Sequence, residues 1–240
     1  MSDAPTHSED ALDQWLAGPF GRLLVAAEQS EVATALEHVF GNQFVQIGRW
    51  GPPDAFLPLA RTPRRALVAE PGARGDCVSH ASSLAIQSQS VDAVLLPHTL
   101  EFEPEPHEVL REVERVLVGE GHIVVLGFEP AGAWALRHYL TRQGFPPGLT
   151  RLLSRGRLRD WLRLLGFDVL ETRRFVHALP IEGLSAGPVA RGLQRVGSRL
   201  DGRLGNAYLL KARKRVYSLT PIRPRRRQAQ RLAGAVAEPT

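Results

Sequence analysis

Three places in this 240-residue chain carry residue types that could bind or react. The stretch "FVQIGRWGPP", residues 44–53, is an apolar run ending in Gly48, as a strand entering a nucleotide- or phosphate-binding turn does. Such turns favour glycine because the backbone must come close to its ligand. Here Arg49 and Trp50 stand where small residues are usual, and Gly51 is followed by two prolines instead of a clean helix start. The second place is His98, which ends the apolar run "VDAVLLPH" (91–98). Strand ends in open α/β sheets face the ligand crevice, and an imidazole titrates near neutrality, so His98 could serve as a base. The alternative is a histidine held by hydrogen bonds at a strand end. The third place is Glu70, which ends "RALVAE" (65–70). No zinc-ligand spacing, nucleophile elbow or phosphate loop is present. Cys77 is the only cysteine, which excludes a disulfide framework and a cysteine-based zinc site. No metal is expected.

The elements that must position these residues follow from periodicity. Residues 20–40 have a broken helical spacing, predicting one or two helices on a core. "QFVQI" (43–47) reads as a strand, "RALVAE" as a second, and "CVSHA" (77–81) as a weaker third. "VDAVLLPH" is continuous enough for a strand buried on both faces. In "PEPHEVLREVERVL" (104–117), Val109, Leu110, Val113, Val116 and Leu117 form one stripe of an amphipathic helix. Its prolines suit the first turn, and Gly119 and Gly121 suit its end. "HIVVLGF" (122–128) is another buried strand, so the unit is a parallel crossover and the fold is α/β with helices on both faces. A helix near 131–142, a loop over "FPPGLTRLLSRG", a helix over "RLRDWLRLLGF" stopped by Gly166, and late strands "FDVLETRRF" and "AYLLKARKRV" complete the pass.

This order of parts resembles the class I S-adenosylmethionine-dependent methyltransferases, especially the broad bacterial type 11 group. The strongest stretch is "SVDAVLLPHTLEFEPEPHEVLREVERVLVGEGHIVVLGFEP", supported by "LRDWLRLLGFDVLE" and "AYLLKARK"; the likeness covers about residues 40–215. It implies a Rossmann-like, mostly parallel seven-stranded sheet with helices on both faces and an antiparallel last strand. It divides the chain into a helical extension (1–42), a methyltransferase-like domain (43–216) with an insertion at 177–206, and a basic, disordered tail (217–240). It implies S-adenosylmethionine as cofactor. Glu70 falls where the family's acidic residue holds the ribose hydroxyls, and Ser82 is the small polar residue nearest the family's adenine-side Asp. The family's acidic-x-Gly-x-Gly-x-Gly loop is altered. Gln46 takes the acidic place, Gly48 keeps the first glycine, Trp50 and Pro52 replace the others, and Gly51 is one residue out of register. Gln46 could accept a hydrogen bond from an ammonium, without a carboxylate's charge. Phe102 stands where relatives often carry His, and His107 is expected at the surface. Trp134, Arg137 and Tyr139 could line an acceptor pocket.

The net charge of +5 is uneven: from Ala207 onward nine Lys/Arg face Glu238 alone, giving that segment +8 and residues 1–206 −3. The arginines of 211–231 suit RNA or another polyanion, or an anionic lipid surface, and equally a solubilising end. The polar start and the lack of a long apolar run make a cytoplasmic protein the expectation. Two functions compete: a methyltransferase acting on an unidentified acceptor, and a catalytically degenerate domain of that fold serving as a scaffold. A nicotinamide-dependent oxidoreductase is a distant third, because the G-x-G-x-x-G pattern is missing.

Overall fold

In a computed structural model, described for residues 4–140, 145–176 and 205–216, seven strands form one sheet in the order β3-β2-β1-β4-β5-β7-β6. The strands are β1 Gln43–Ile47, β2 Arg64–Ala69, β3 Cys77–Val78, β4 Val91–Pro97, β5 Leu117–Phe128, β6 Phe167–Phe175 and β7 Ala207–Lys214. Pairing is parallel from β3 through β5, and β7 runs antiparallel to both β5 and β6. This is the predicted sheet, antiparallel last strand included. The third strand shrinks to two residues.

Alternation along the central strands divides the core. Phe44, Ala93, Leu95, Val124 and Leu126 face one side, under α1 (Ala4–Ala17), α2 (Pro19–Leu36) and α5 (Ala133–Leu140). Val45, Ile47, Val94, Leu96, Ile123 and Val125 face the other, under α4 (Pro106–Val116) and α6 (Arg155–Leu164). Side chains of period two on both faces require helices above and below, which is why these strands read as unbroken apolar runs. Helix α4 starts with Pro106, whose missing N–H costs nothing in a first turn, and buries the predicted stripe. Helix α6 is capped by Ser154, whose hydroxyl accepts from Arg157 N–H, and the chain turns at Gly166 with φ +82°.

Two expectations change. The glycines assigned to the end of α4 lie inside β5, where the register against β4 slips between Val91 and Ala93 and Glu120 takes φ +64°. A bulge absorbs the extra residues there. The 20–40 stretch is helical only as far as Leu36, in the single helix α2, and the polar start of the expected helical extension carries a second helix, α1. Trp15 of α1 meets Trp134 and Phe145 edge to face, at ring separations of 6.0 and 5.4 Å. A Cβ at Gly21 would lie 2.3 Å from the Leu16 Cα, so only glycine lets α2 start this close to α1. Helix α1 is thereby held over the sheet's carboxyl edge. The expected tail (217–240) and all but the last two residues of the 177–206 insertion lie outside the described residues.

Candidate cofactor cleft

The strand order reverses between β1 and β4, and a cleft opens where their carboxyl ends part, as the topology requires. It is lined by Gly48, Arg49 and Trp50 after β1, Ala69, Glu70 and Ala73 after β2, Pro97, Thr99, Phe102 and Glu103 after β4, and Leu12 and Asp13 of α1. A four-residue helix, α3 (Thr99–Phe102), carries the third set. Gly48 has φ +90°, and a Cβ there would sit 2.7 Å from Thr99 Oγ1. That hydroxyl donates to the Ile47 carbonyl at 2.5 Å, pinning the first turn of α3 against the end of β1.

Trp50 occupies the second glycine place of the family loop, and its indole is directed into the core. It is 2% exposed, and Nε1–H donates to Glu28 Oε2 at 2.7 Å. Glu28 comes from the middle of α2 and is fully buried. Its other oxygen lies 2.6 Å from His98 Nε2, while His98 Nδ1 lies 2.9 Å from Glu101 Oε2. Glu101 Oε1 in turn accepts the Phe128 N–H at 2.9 Å. The imidazole is sandwiched between Trp50 and Phe128, with ring centroids at 4.3 and 4.1 Å. Two carboxylates acting as acceptors, one toward each ring nitrogen, specify an imidazolium. Burial opposes that charge, but the charge of Glu28, with the hydrogen bonds that Glu101 and Glu28 accept, overcomes it and raises the His98 pKa to about 9. Burial also pushes the Glu101 carboxyl up, against the effect of His98. The charged imidazolium governs, because in that state both ring nitrogens donate, one to each carboxylate.

The other end of the cleft is solvated. Glu70 follows β2 directly; its carboxylate accepts from Ala81 N–H at 2.8 Å and meets His80 Nδ1 at 2.7 Å. These two contacts fix its orientation at the cleft wall. Glu103 lies on the same wall, and partial burial, then the charge of Glu70, raise its pKa, with His80 acting in the opposite sense.

The residues singled out in the sequence therefore separate. Gly48 and Glu70 line the cleft together. Gln46 lies behind the turn, 3% exposed; its Nε2 donates to the Gly48 carbonyl at 3.0 Å, while Oε1 has no partner among the described residues. Gly51, φ +71°, packs toward Val25 of α2 and lines a neighbouring cavity. Ser82 is exposed in the turn after β3 and lies outside the cleft lining; Ala81 beside it makes the bond to Glu70. His98 stands at the end of β4 as expected, but it is wholly buried with both nitrogens engaged, and it does not line the cleft. Trp134 is core at 1% exposure, and Tyr139 is 70% exposed. His107 is exposed, with its ring 3.6 Å from that of Trp161. Sequence reasoning missed Glu28, Asp13, Thr99 and Glu103. The first two come from helices distant in the chain, and the others carry no local signature.

The cleft's donor set fits S-adenosylmethionine. Carboxylates at Glu70 and Glu103 can accept from ribose hydroxyls, and the three acids among the lining residues against one guanidinium match a ligand of net positive charge. The orphaned Gln46 oxygen beside the turn is an acceptor of the kind an ammonium needs.

Comparison with known proteins agrees. Residues 61–125 match the model of a methyltransferase domain family. The uncharacterized protein YafS of Escherichia coli K12 is 30% identical over 227 residues, spanning 91% of this chain and 90% of its own. A chain of the complex between the Haloferax volcanii Trm112 methyltransferase activator and its methyltransferase superposes with a TM-score of 0.60 at 19% identity, over 87% of this chain and 97% of that one. A SAM-dependent methyltransferase of Archaeoglobus fulgidus gives 0.56 at 18% identity, over 78% and 92%. These two likenesses carry the fold. With the sheet order, the cleft at its reversal and a relative matched over nearly its whole length, the chain belongs to the class I S-adenosylmethionine-dependent methyltransferases of the type 11 group.

Proposed function

We propose that this protein transfers the methyl group of S-adenosylmethionine, its family's cofactor, to an acceptor bound at the α1 side of the cleft, by alignment and without a histidine base. One observation supports this above the others. The residue that would block the family's cofactor turn, Trp50, is held in the core by Glu28 and His98, and Gly48 and Glu70 remain on the cleft wall. The cofactor supplies a methyl group on a positively charged sulfur. The work left to the chain is to hold donor and acceptor in line, which is where most of the rate advantage of such a transfer lies. Glu70 would take the ribose hydroxyls, in the orientation set by His80 and Ala81. His98 would act as a positioning residue, its charge holding Trp50 out of the turn. With both nitrogens engaged it is a poor proton acceptor, so the acceptor nucleophile would arrive already unprotonated or lose its proton to water.

The test is incubation of the full chain with methyl-labelled cofactor and fractionated bacterial extract, using Glu70→Ala as control. Label entering an acceptor with the wild-type chain and not with the variant supports the transferase. If the wild-type chain binds the cofactor and labels nothing, the domain is a binding scaffold instead. The arginine-rich tail is proposed as a contact for RNA or another polyanion, with the cytoplasm as its setting. Deleting residues 218–240 should abolish low-salt RNA binding and leave cofactor binding intact; RNA binding that survives the deletion rules the tail out.

A further inference from the structure

Of the described residues lining the cleft, Arg49 is the sole cation, against Asp13, Glu70 and Glu103. It lies in the altered turn, one residue after Gly48, and its guanidinium is paired with the Asp13 carboxylate of α1. A second cavity, about 470 Å³, lies beyond that pair, lined also by Arg22, Val25, Gly51 and Pro52. Arg49 and Asp13 line both spaces and so form the partition between them. With Leu12 and Asp13 across it, the main cleft encloses about 160 Å³, less than the roughly 300–1,000 Å³ of a usual small-molecule site.

We propose that Arg49 is the anchor for the amino-acid carboxylate of the cofactor, and that Asp13 of α1 occupies this anchor in the closed, ligand-free protein. This rests on the cofactor reading above and goes beyond it. Four observations carry it. The ligand combines two positive centres with one carboxylate. Glu70 and Glu103 serve its positive centres and its ribose, which leaves the carboxylate with Arg49 among the described lining residues. A guanidinium donates two parallel N–H bonds to a carboxylate, and a neighbouring carboxylate is the simplest competitor for that fork. The pair is also cheap to exchange, since both side chains are well exposed, at 38% and 49%. When the ligand takes Arg49, Asp13 keeps a cation within its own cavity, Arg22, and its side chain can swing away without being left uncompensated. The partition would then open and the cleft enlarge.

Two probes separate this from a general weakening. S-adenosylhomocysteine carries the amino-acid carboxylate; 5′-methylthioadenosine has the same nucleoside and sulfur and lacks it. Titration calorimetry of the full chain should show Arg49→Gln losing S-adenosylhomocysteine affinity at least tenfold, with 5′-methylthioadenosine changed less than twofold. Asp13→Asn should tighten S-adenosylhomocysteine several-fold and leave 5′-methylthioadenosine unchanged. Thermal melts of both variants within a few degrees of wild type would show the fold intact. If Arg49→Gln weakens both ligands equally, or Asp13→Asn weakens S-adenosylhomocysteine, the anchor assignment is overturned. If wild type binds neither ligand, the cofactor reading itself fails, and that result differs from either of the others.

Discussion

The two ends of the cofactor cleft use charge in opposite ways. At the β1 end, Glu28, His98 and Glu101 are wholly buried and bond only to one another, to Trp50 and to backbone. At the β2 end, Glu70 and His80 meet in solvent, with side chains 38% and 67% exposed. A buried charge must be matched or it destabilises the fold; an exposed one can exchange its partner for a ligand. The first group shapes the site, and the second is fitted to bind. A residue's type alone does not distinguish the two roles, since both pairs are a histidine with a glutamate.

That contrast can be broken from the buried side first. Glu28→Ala should leave the His98 imidazolium short of a counter-charge and the Trp50 N–H without an acceptor. Removing one partner of a buried pair costs about 3–5 kcal/mol, so urea unfolding should show most of the protein's margin gone. The pH dependence is next. His98 rises from 6.5 to about 9 on folding, so its charge contributes fully below pH 6.5 and is lost as pH climbs through 9. That amounts to roughly 3 kcal/mol over this interval. Unfolding free energies measured at pH 6.5, 7.5 and 9 should fall accordingly, and His98→Gln should remove that slope.

The exposed side predicts the reverse pattern. Glu70→Ala should cost only about 1–2 kcal/mol of stability, because His80 returns to water while the N–H of buried Ala81 loses its acceptor. It should still weaken cofactor binding by about 1.5–3 kcal/mol, tenfold or more, since charge-assisted hydrogen bonds are lost. Calorimetry alongside a melt reads both quantities. If Glu70→Ala destabilises as strongly as Glu28→Ala, the distinction between the two ends fails. Gly48→Ala should cost about 1–3 kcal/mol of stability, from the strain at φ +90° and the contact with Thr99. A melt of this variant equal to wild type would show the turn to be freer than its geometry implies.

Much of the fold was legible because its signals are local. The continuous apolar strands, the stripe on α4 and the helix-to-glycine step at Gly166 each fall within a dozen residues. Glu70 was legible for the same reason, since it ends a strand that is easy to see. The turn at Gly48–Pro53 was located, but its meaning was not readable there. Whether Trp50 fills the ligand's space depends on Glu28, twenty-two positions earlier on another element, and on His98 far downstream. His98 shows the limit most plainly. Its place at the end of β4 was correct, while its burial between Trp50 and Phe128 required the whole sheet. Helix α1 was legible only as part of a helical extension over 1–42, because its composition is polar and its anchors, Trp15 and Leu16, come only at its end.

The central claim is that the turn carrying Trp50 has been remade around a buried ion cluster and still admits the cofactor. Titration of S-adenosylmethionine into the full wild-type chain at neutral pH and low salt tests it most directly. Saturable one-to-one binding is expected, with a dissociation constant in the micromolar range or tighter and a rise in melting temperature. No heat and no thermal shift, with either S-adenosylmethionine or its demethylated product, would contradict it and mean that the indole closed the site.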